Sequence, residues 1–443
     1  MSLSIRLKST DVVAVGLMTF ALFLGAGNLI FPPFLGQLAG EAVVPAAAGF
    51  LLTGVGLPLL GLMVAAKLGG GLDRFTQDLP KWAAMLTGIV LYLAIGPLFA
   101  APRTAVVSFE MGVLPFVGEE STGALALYSA GFFLLTLVLA LFPGRLIETV
   151  GKLITPLLVL VLVAIAIGVF AAPQGVVAEA GMHLEEPAFI YGFKQGYQTM
   201  DTLASLAFGI VIITALRQRG VEDRADLTRY TIIAAIIAAV GLSVVYIVLS
   251  YLGATSYAIA AGAENGARIL NLYITAVFGD WGMIILALTI GLACLTTSVG
   301  LMTACGEYFA EVLPVMGYRG YVVLCTIVSA LIANMGLTEL LAVTIPALLV
   351  VYPIAIALIM LCLFRERFAQ PGIVFAFTLL PVLAISIVDG LSAAGLSFVQ
   401  PLVDVYSHLP LQSSGLGWMV PGVAGFVIGM LKSGSPVRQE SLA

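Results

Sequence analysis

Asn28 lies in the middle of an uncharged stretch from Val12 to Gly40, inside FLGAGNLIFPP (Phe23 to Pro33). Glycine lets a backbone leave the helix at little cost. Freed N–H groups at the start of a second half-helix hold a carboxylate, helped by the helix dipole. Freed carbonyls before the break hold a hard cation. Gly25, Gly27 and Asn28 near bilayer depth therefore suggest backbone opened around an ion, a carboxylate, or both. The plainer alternative is a glycine patch for tight helix packing, but Asn28 and Pro32–Pro33 add a cost that packing does not need.

Three further clusters carry polar chemistry in apolar surroundings. TMDTLAS (Thr199 to Ser205) places Asp201 close to or inside the bilayer, where an ionisable side chain is costly and usually functional. It could hold a cation, receive an ammonium or carry a proton; as an N-cap it would start a half-helix. ACLTTSVG (Ala293 to Gly300) sets Thr296, Thr297 and Ser298 side by side in an apolar helix. The two threonines could complete an oxygen cage with carbonyls from the first span, or simply bond back to their own helix. PRTAVVSFE (Pro102 to Glu110) puts Arg103 and Glu110 on one helical face, as an outer-gate pair, a field-setting charge or an interfacial snorkel.

Enzymatic chemistry is not indicated. His183 and His408 fall in loops without a metal-ligand cluster, and no phosphate-binding loop is present. Cys294, Cys305, Cys325 and Cys362 all lie in apolar stretches and read as buried small hydrophobes. Nothing points to nucleic acid.

The elements that must position these groups follow from composition. Hydrophobic residues make up 61% of the chain and charged residues 10%, against about 25% charged in a soluble domain. A span needs about 20 apolar residues. Charge-poor blocks satisfy this from Val12–Gly40 to Leu409–Leu431 and predict twelve transmembrane helices, the sixth starting near Tyr191 and carrying Asp201. Of the 19 Lys and Arg, all but Lys194, Arg268 and Arg103 fall on one side, which makes that side and both termini cytoplasmic. A loop segment, Glu264 to Gly279, has helical apolar spacing and predicts an outer helix, amphipathic or re-entrant. FLGAGNLI (Phe23 to Ile30) aligns with SLAFGIVI (Ser205 to Ile212), in spans one and six. Interrupted helices at matching places of two inverted halves point to a midplane transporter site.

FALFLGAGNLIFPP, GPLFAAPRTAVVSFE, GYQTMDTLASLAFGIVI and ACLTTSVGL together resemble the bacterial branched-chain amino acid:cation symporter family, over about Asp11 to Leu431. That resemblance implies an all-α integral membrane protein with the LeuT-type fold of the amino acid–polyamine–organocation superfamily. Its first inverted repeat would span 11–178 and its second 191–364, with helices one and six broken. Two extra helices would follow in 368–431, all in one transporter domain over 1–443. It implies import of leucine, isoleucine and valine through a bacterial cytoplasmic membrane, with sodium as the coupling ion.

The same resemblance assigns residues. Backbone N–H groups around Gly25, Ala26 and Gly27 would hold the substrate carboxylate, and Ser205, Phe208, Thr297 and Leu301 would line the rest of the pocket. The Ala21, Leu24 and Ala293 carbonyls with the Thr296 and Thr297 hydroxyls would hold sodium. Asn28 would ligate a second sodium. The segment around Asp201 departs from the sodium-coupled pattern. A proton-coupled carrier using Asp201 therefore stands as an alternative, and a non-translocating sensor stands as a rival of another class. Arg103 and Glu110 remain candidates for gating or coupling.

Overall fold

The computed structural model describes residues 7–117, 121–142, 147–177, 184, 186–412 and 415–434. His183, the basic residues Arg6, Arg145 and Arg438, and the expected end of the first repeat at residue 178 lie outside them. The described residues are helical, with no strand among them. Ten of their helices are long and apolar enough to cross a membrane. Shorter apolar helices occupy Ser9–Phe23, Gly266–Phe278 and Met419–Ser433. The charge-poor blocks expected at Val12–Gly40 and Ala42–Ala66 are redistributed: the chain is helical over Ser9–Phe23, breaks, and runs from Ala26 to Leu68 through short 3-10 and π segments.

The chain forms two compact units. The first comprises Met1–Gly70 and Tyr92–Leu340, the second Gly71–Leu91 and Leu341–Ala443. All the polar clusters singled out above belong to the first.

Glycine explains how closely the helices of the first unit approach. Ala26–Ala39 lies against Arg224–Ala254. A Cβ on Gly36 would sit 1.9 Å from the Ser250 carbonyl oxygen, and one on Gly253 would sit 1.9 Å from that of Pro33. Ala188–Tyr197 lies against Val43–Leu51 in the same manner: a Cβ on Gly192 would be 1.9 Å from the Ala46 oxygen, and one on Gly49 2.0 Å from that of Phe189. Ser9–Phe23 also packs on Arg224–Ala254, and Asp201–Gln218 on Leu57–Leu68. Without a hydrophobic driving force between helices in lipid, such backbone-to-backbone packing supplies the adhesion.

The helix expected within Glu264–Gly279 is present as Gly266–Phe278. Asn265 caps it, its side chain accepting from the Arg268 N–H at 3.0 Å. Its apolar face, with Ile269, Leu270, Tyr273 and Ile274, is buried, and it packs on Ala26–Ala39 and Asp280–Val312. In the second unit, Pro371–Ala393 pairs with Met419–Ser433, and Arg365 holds Asp78 through Nε at 2.5 Å and Nη2 at 2.9 Å.

Candidate functional site

The helix that starts at Ser9 ends at Phe23, and the next begins at Ala26. Leu24 turns out of helical geometry at ψ 82°, and Gly25 is extended at φ −108°, ψ −164°. Asn28 fixes this turn: its Oδ1 accepts from the Gly25 N–H at 3.1 Å. Pro32 and Pro33 lie inside the second helix and lack N–H donors, so the carbonyls of Asn28 and Leu29 have no i+4 amide to bond.

A second interruption lies at Met200, between Ala188–Tyr197 and Asp201–Gln218. Met200 takes φ 66°, a left-handed conformation that a long side chain rarely adopts. Asp201 is the first residue of the following helix rather than its cap, and its side chain is turned into the protein. Its Oδ2 accepts from Asn28 Nδ2 at 2.6 Å and from the Tyr246 hydroxyl at 2.9 Å. Asn28 Nδ2 also contacts the Tyr246 oxygen, closing a triangle. Asn28, Asp201 and Tyr246 are all buried, so none of these bonds competes with water.

The third expected span, Trp82–Pro102, breaks as well. Gly96 has φ −92°, ψ −114°, with Pro97 beside it and Phe99 non-helical, before Ala100–Gly112 begins. This break brings Arg103 inward. Arg103 is 3% exposed, so its guanidinium is enclosed by protein rather than snorkelling. Its guanidinium carbon lies 5.8 Å from the centre of the Phe31 ring.

These elements enclose one cavity of about 20 Å³, room for about one water. Gly25, Ala26, Gly27, Asn28, Arg103, Asp201, Phe208, Thr297 and Leu301 all line it. Phe208 stands edge-on to Phe23, ring centres 5.2 Å apart. Ser205 is not in the wall; its hydroxyl donates to its own helix at the Thr202 carbonyl, 2.7 Å away. Glu110 also lies elsewhere, in an open groove of about 730 Å³ with Asn265 and Arg268.

Beside the cavity sits a cluster of uncharged oxygens. The Ala21 carbonyl accepts from Thr296 Oγ1 at 2.9 Å and from Thr297 Oγ1 at 3.3 Å. Thr296 Oγ1 also reaches the Ala293 carbonyl at 2.9 Å. Thr296 does bond back to its helix, as the plain reading expects, and both threonines bridge to the end of Ser9–Phe23. Hard cations take oxygen donors of this kind, and the hydroxyl protons rotate away to free the lone pairs. Leu24 is buried next to the break.

Two residues here escaped the sequence reading. Tyr246 is one of three tyrosines in the long apolar helix Arg224–Ala254, a position that looks like ordinary core. Met200 adjoins Asp201 and carries no polar signal.

Fold comparison sets the class. The crystal structure of MhsT in complex with L-phenylalanine matches with a TM-score of 0.60 at 15% identity, covering 94% of this chain and 98% of that one. A Na+-coupled sialic acid symporter matches with a TM-score of 0.62 at 14% identity, covering 95% and 90%. The chain thus has the fold of LeuT-type membrane transporters. Sequence comparison is more specific. The family described as "Branched-chain amino acid transport protein" matches residues 8–435, and this chain belongs to it. The branched-chain amino acid transport system 2 carrier protein of Pseudomonas aeruginosa is 49% identical over 426 residues, 96% of this chain and 97% of that protein. The branched-chain amino acid permease BrnQ of Escherichia coli (strain K12) is 42% identical over 434 residues, 98% of each. The chain is a multi-pass membrane protein.

Proposed function

We propose that this protein is a secondary symporter that imports leucine, isoleucine and valine across a bacterial cytoplasmic membrane, coupled to sodium. One observation carries the reading: Thr297 belongs to two sites at once. Its hydroxyl contacts the Ala21 carbonyl in the oxygen cluster, and its side chain lines the cavity. A residue shared in this way gives each ligand a direct interest in the other's site, which is what coupling requires.

Sodium would be held by the carbonyls of Ala21, Leu24 and Ala293 with the hydroxyls of Thr296 and Thr297. The amino acid would lie against the break at Gly25–Gly27, its aliphatic chain on Phe208 and Leu301. A cavity of about 20 Å³ does not admit leucine, so its walls separate during the cycle. One methylene in an apolar pocket separates ligands by about 1–3 kcal/mol, consistent with three substrates sharing one site. Twelve spans in two inverted five-helix repeats plus two helices suit this mechanism. The paired packing supports the repeat: each half of the first interrupted segment lies on Arg224–Ala254, and the halves of the second lie on Val43–Leu51 and Leu57–Leu68. Both termini would be cytoplasmic.

Asp201 favours a second reading. A carboxylate buried with Asn28 and Tyr246 in the cavity wall could carry a proton instead. Labelled leucine uptake into proteoliposomes, under a sodium or a proton gradient imposed separately, tests both. Sodium-driven uptake that collapses in Thr297→Ala supports the symporter proposed. Uptake driven by protons alone and lost in Asp201→Asn moves coupling to Asp201. Leucine binding without uptake under either gradient leaves a sensor.

A further inference from the structure

We infer that Arg103 is the group that binds the substrate's carboxylate; this rests on the amino acid transport proposed above. The wall of the small cavity holds a fixed cation, Arg103, and a carboxyl group, Asp201. An α-amino acid in water carries both charges on one carbon. A site that buries it must meet both, since a charge left unpaired in a low-dielectric interior is costly.

The two wall groups are held differently. Asp201 Oδ2 takes bonds from Asn28 and Tyr246, which keep it against the Arg224–Ala254 helix. Arg103 comes from Ala100–Gly112 and reaches the start of the Ala26–Ala39 helix. A Cβ on Gly27 would lie 3.1 Å from Arg103 Nη2 and 3.1 Å from the Gln198 carbonyl. Gly27 is thus the opening through which the guanidinium meets the helix N-terminus. A guanidinium and a helix N-terminus are both positive and face the same small space, an arrangement that favours an anion between them. A planar guanidinium matches a carboxylate through two parallel N–H bonds, and it stays charged at every physiological pH.

This assignment also changes the role of Asn28. The resemblance gives Asn28 to a second sodium beside the carboxylate. Its Oδ1 is already engaged by the Gly25 N–H, and Arg103 supplies the positive charge that such an ion would provide.

The test compares leucine with leucinamide, which lacks the carboxylate charge, as ligands of the full-length protein at saturating sodium. Arg103→Gln is expected to weaken leucine by about tenfold to a hundredfold, the range for a hydrogen bond to a charged group, with leucinamide changed little. Arg103→Lys should restore part of the leucine affinity, since charge returns without the fork. Gly27→Ala presses on Nη2 and is expected to show the same split, which keeps the test open if Arg103→Gln does not fold. Equal weakening of both ligands, or unchanged leucine affinity in a folded variant, overturns the assignment. In wild type, leucine binding without uptake would overturn symport but leave the Arg103 test intact. Absence of leucine binding to wild type would overturn both.

Discussion

At the scale of single residues, the Asn28–Asp201–Tyr246 triangle is the costliest arrangement in the site. Three polar groups are buried together, and each depends on the other two. Removing one partner of a buried hydrogen bond costs about 1–3 kcal/mol, because the group left behind remains desolvated. Tyr246→Phe is therefore expected to lower the melting temperature and weaken leucine binding about tenfold. The double variant with Asp201→Asn should be less than additive, as for residues in one network; full additivity in a double-mutant cycle would mean that the triangle is not a unit. The oxygen cluster separates from the cavity at Thr296, which bonds to Ala21 and Ala293 but does not line the wall. Thr296→Val keeps the branched shape and deletes the oxygen. Its half-saturating sodium concentration should rise about tenfold, while leucine KM at saturating sodium stays near wild type; a change in leucine KM alone would contradict the assignment. Asn28, Asp201, Thr296 and Thr297 were legible in the sequence because polar groups are conspicuous in apolar spans. Tyr246 was not, since a half-polar aromatic in a helix is ordinary until its partner is known. Ser205 was placed in the pocket by motif likeness, but a serine near a helix start finds its own carbonyl first. The depth of Arg103 was equally invisible, because it is set by the break at Gly96 and the bare Cα of Gly27.

At the scale of elements, sequence patterning located the helices better than their interruptions. Apolar blocks follow from lipid solvation alone. The interruption at Leu24–Gly25 announced itself through glycine and Asn28, and Asp201 marked the place of the one at Met200. In the helix pair before and after Phe99 the break centres on Gly96, while Pro102 sits in the first turn of Ala100–Gly112, where its missing N–H costs nothing. The glycine contacts were not legible, since a helix shows its glycines but not the backbone they touch. They carry a clear consequence. Gly253→Ala would drive a methyl into the Pro33 carbonyl, and Gly192→Ala one into that of Ala46. Neither backbone can retreat without moving a whole helix. Each substitution is expected to cost more than the 1–3 kcal/mol typical of overpacking and to cut the yield of folded protein, read by size-exclusion chromatography. Gly131→Ala, with nothing within 4 Å, should behave as wild type. Normal yield from Gly253→Ala would mean that the two helices do not approach as closely as described.

At the scale of the whole molecule, a carrier must hold one side shut while the other opens, and a charged network offers the latch. Asp11 opens the Ser9–Phe23 helix. It pairs with Lys152 at 3.0 Å and with Arg219 at 3.3 Å. Glu148 pairs with the same Lys152 at 3.4 Å and also with Arg219. Three chain segments are thereby joined at the side that the proposed orientation makes cytoplasmic. Water screens such partly exposed pairs, and they cannot account for folding. Transport conformers, however, differ by only a few kcal/mol, so losing 1–2 kcal/mol from one of them shifts the populations about 5–30-fold. Asp11→Asn with Glu148→Gln removes every acid of the network and is expected to favour the form open to the cytoplasm. A cysteine placed at Ala204, in the cavity wall, reports this once Cys294, Cys305, Cys325 and Cys362 are replaced. Its modification by a membrane-impermeant maleimide should speed up in inside-out vesicles by about the same 5–30-fold and not in right-side-out vesicles. Faster labelling from the other side would reverse the proposed orientation. Unchanged labelling from both would show that the network joins the helix ends without closing the path between them.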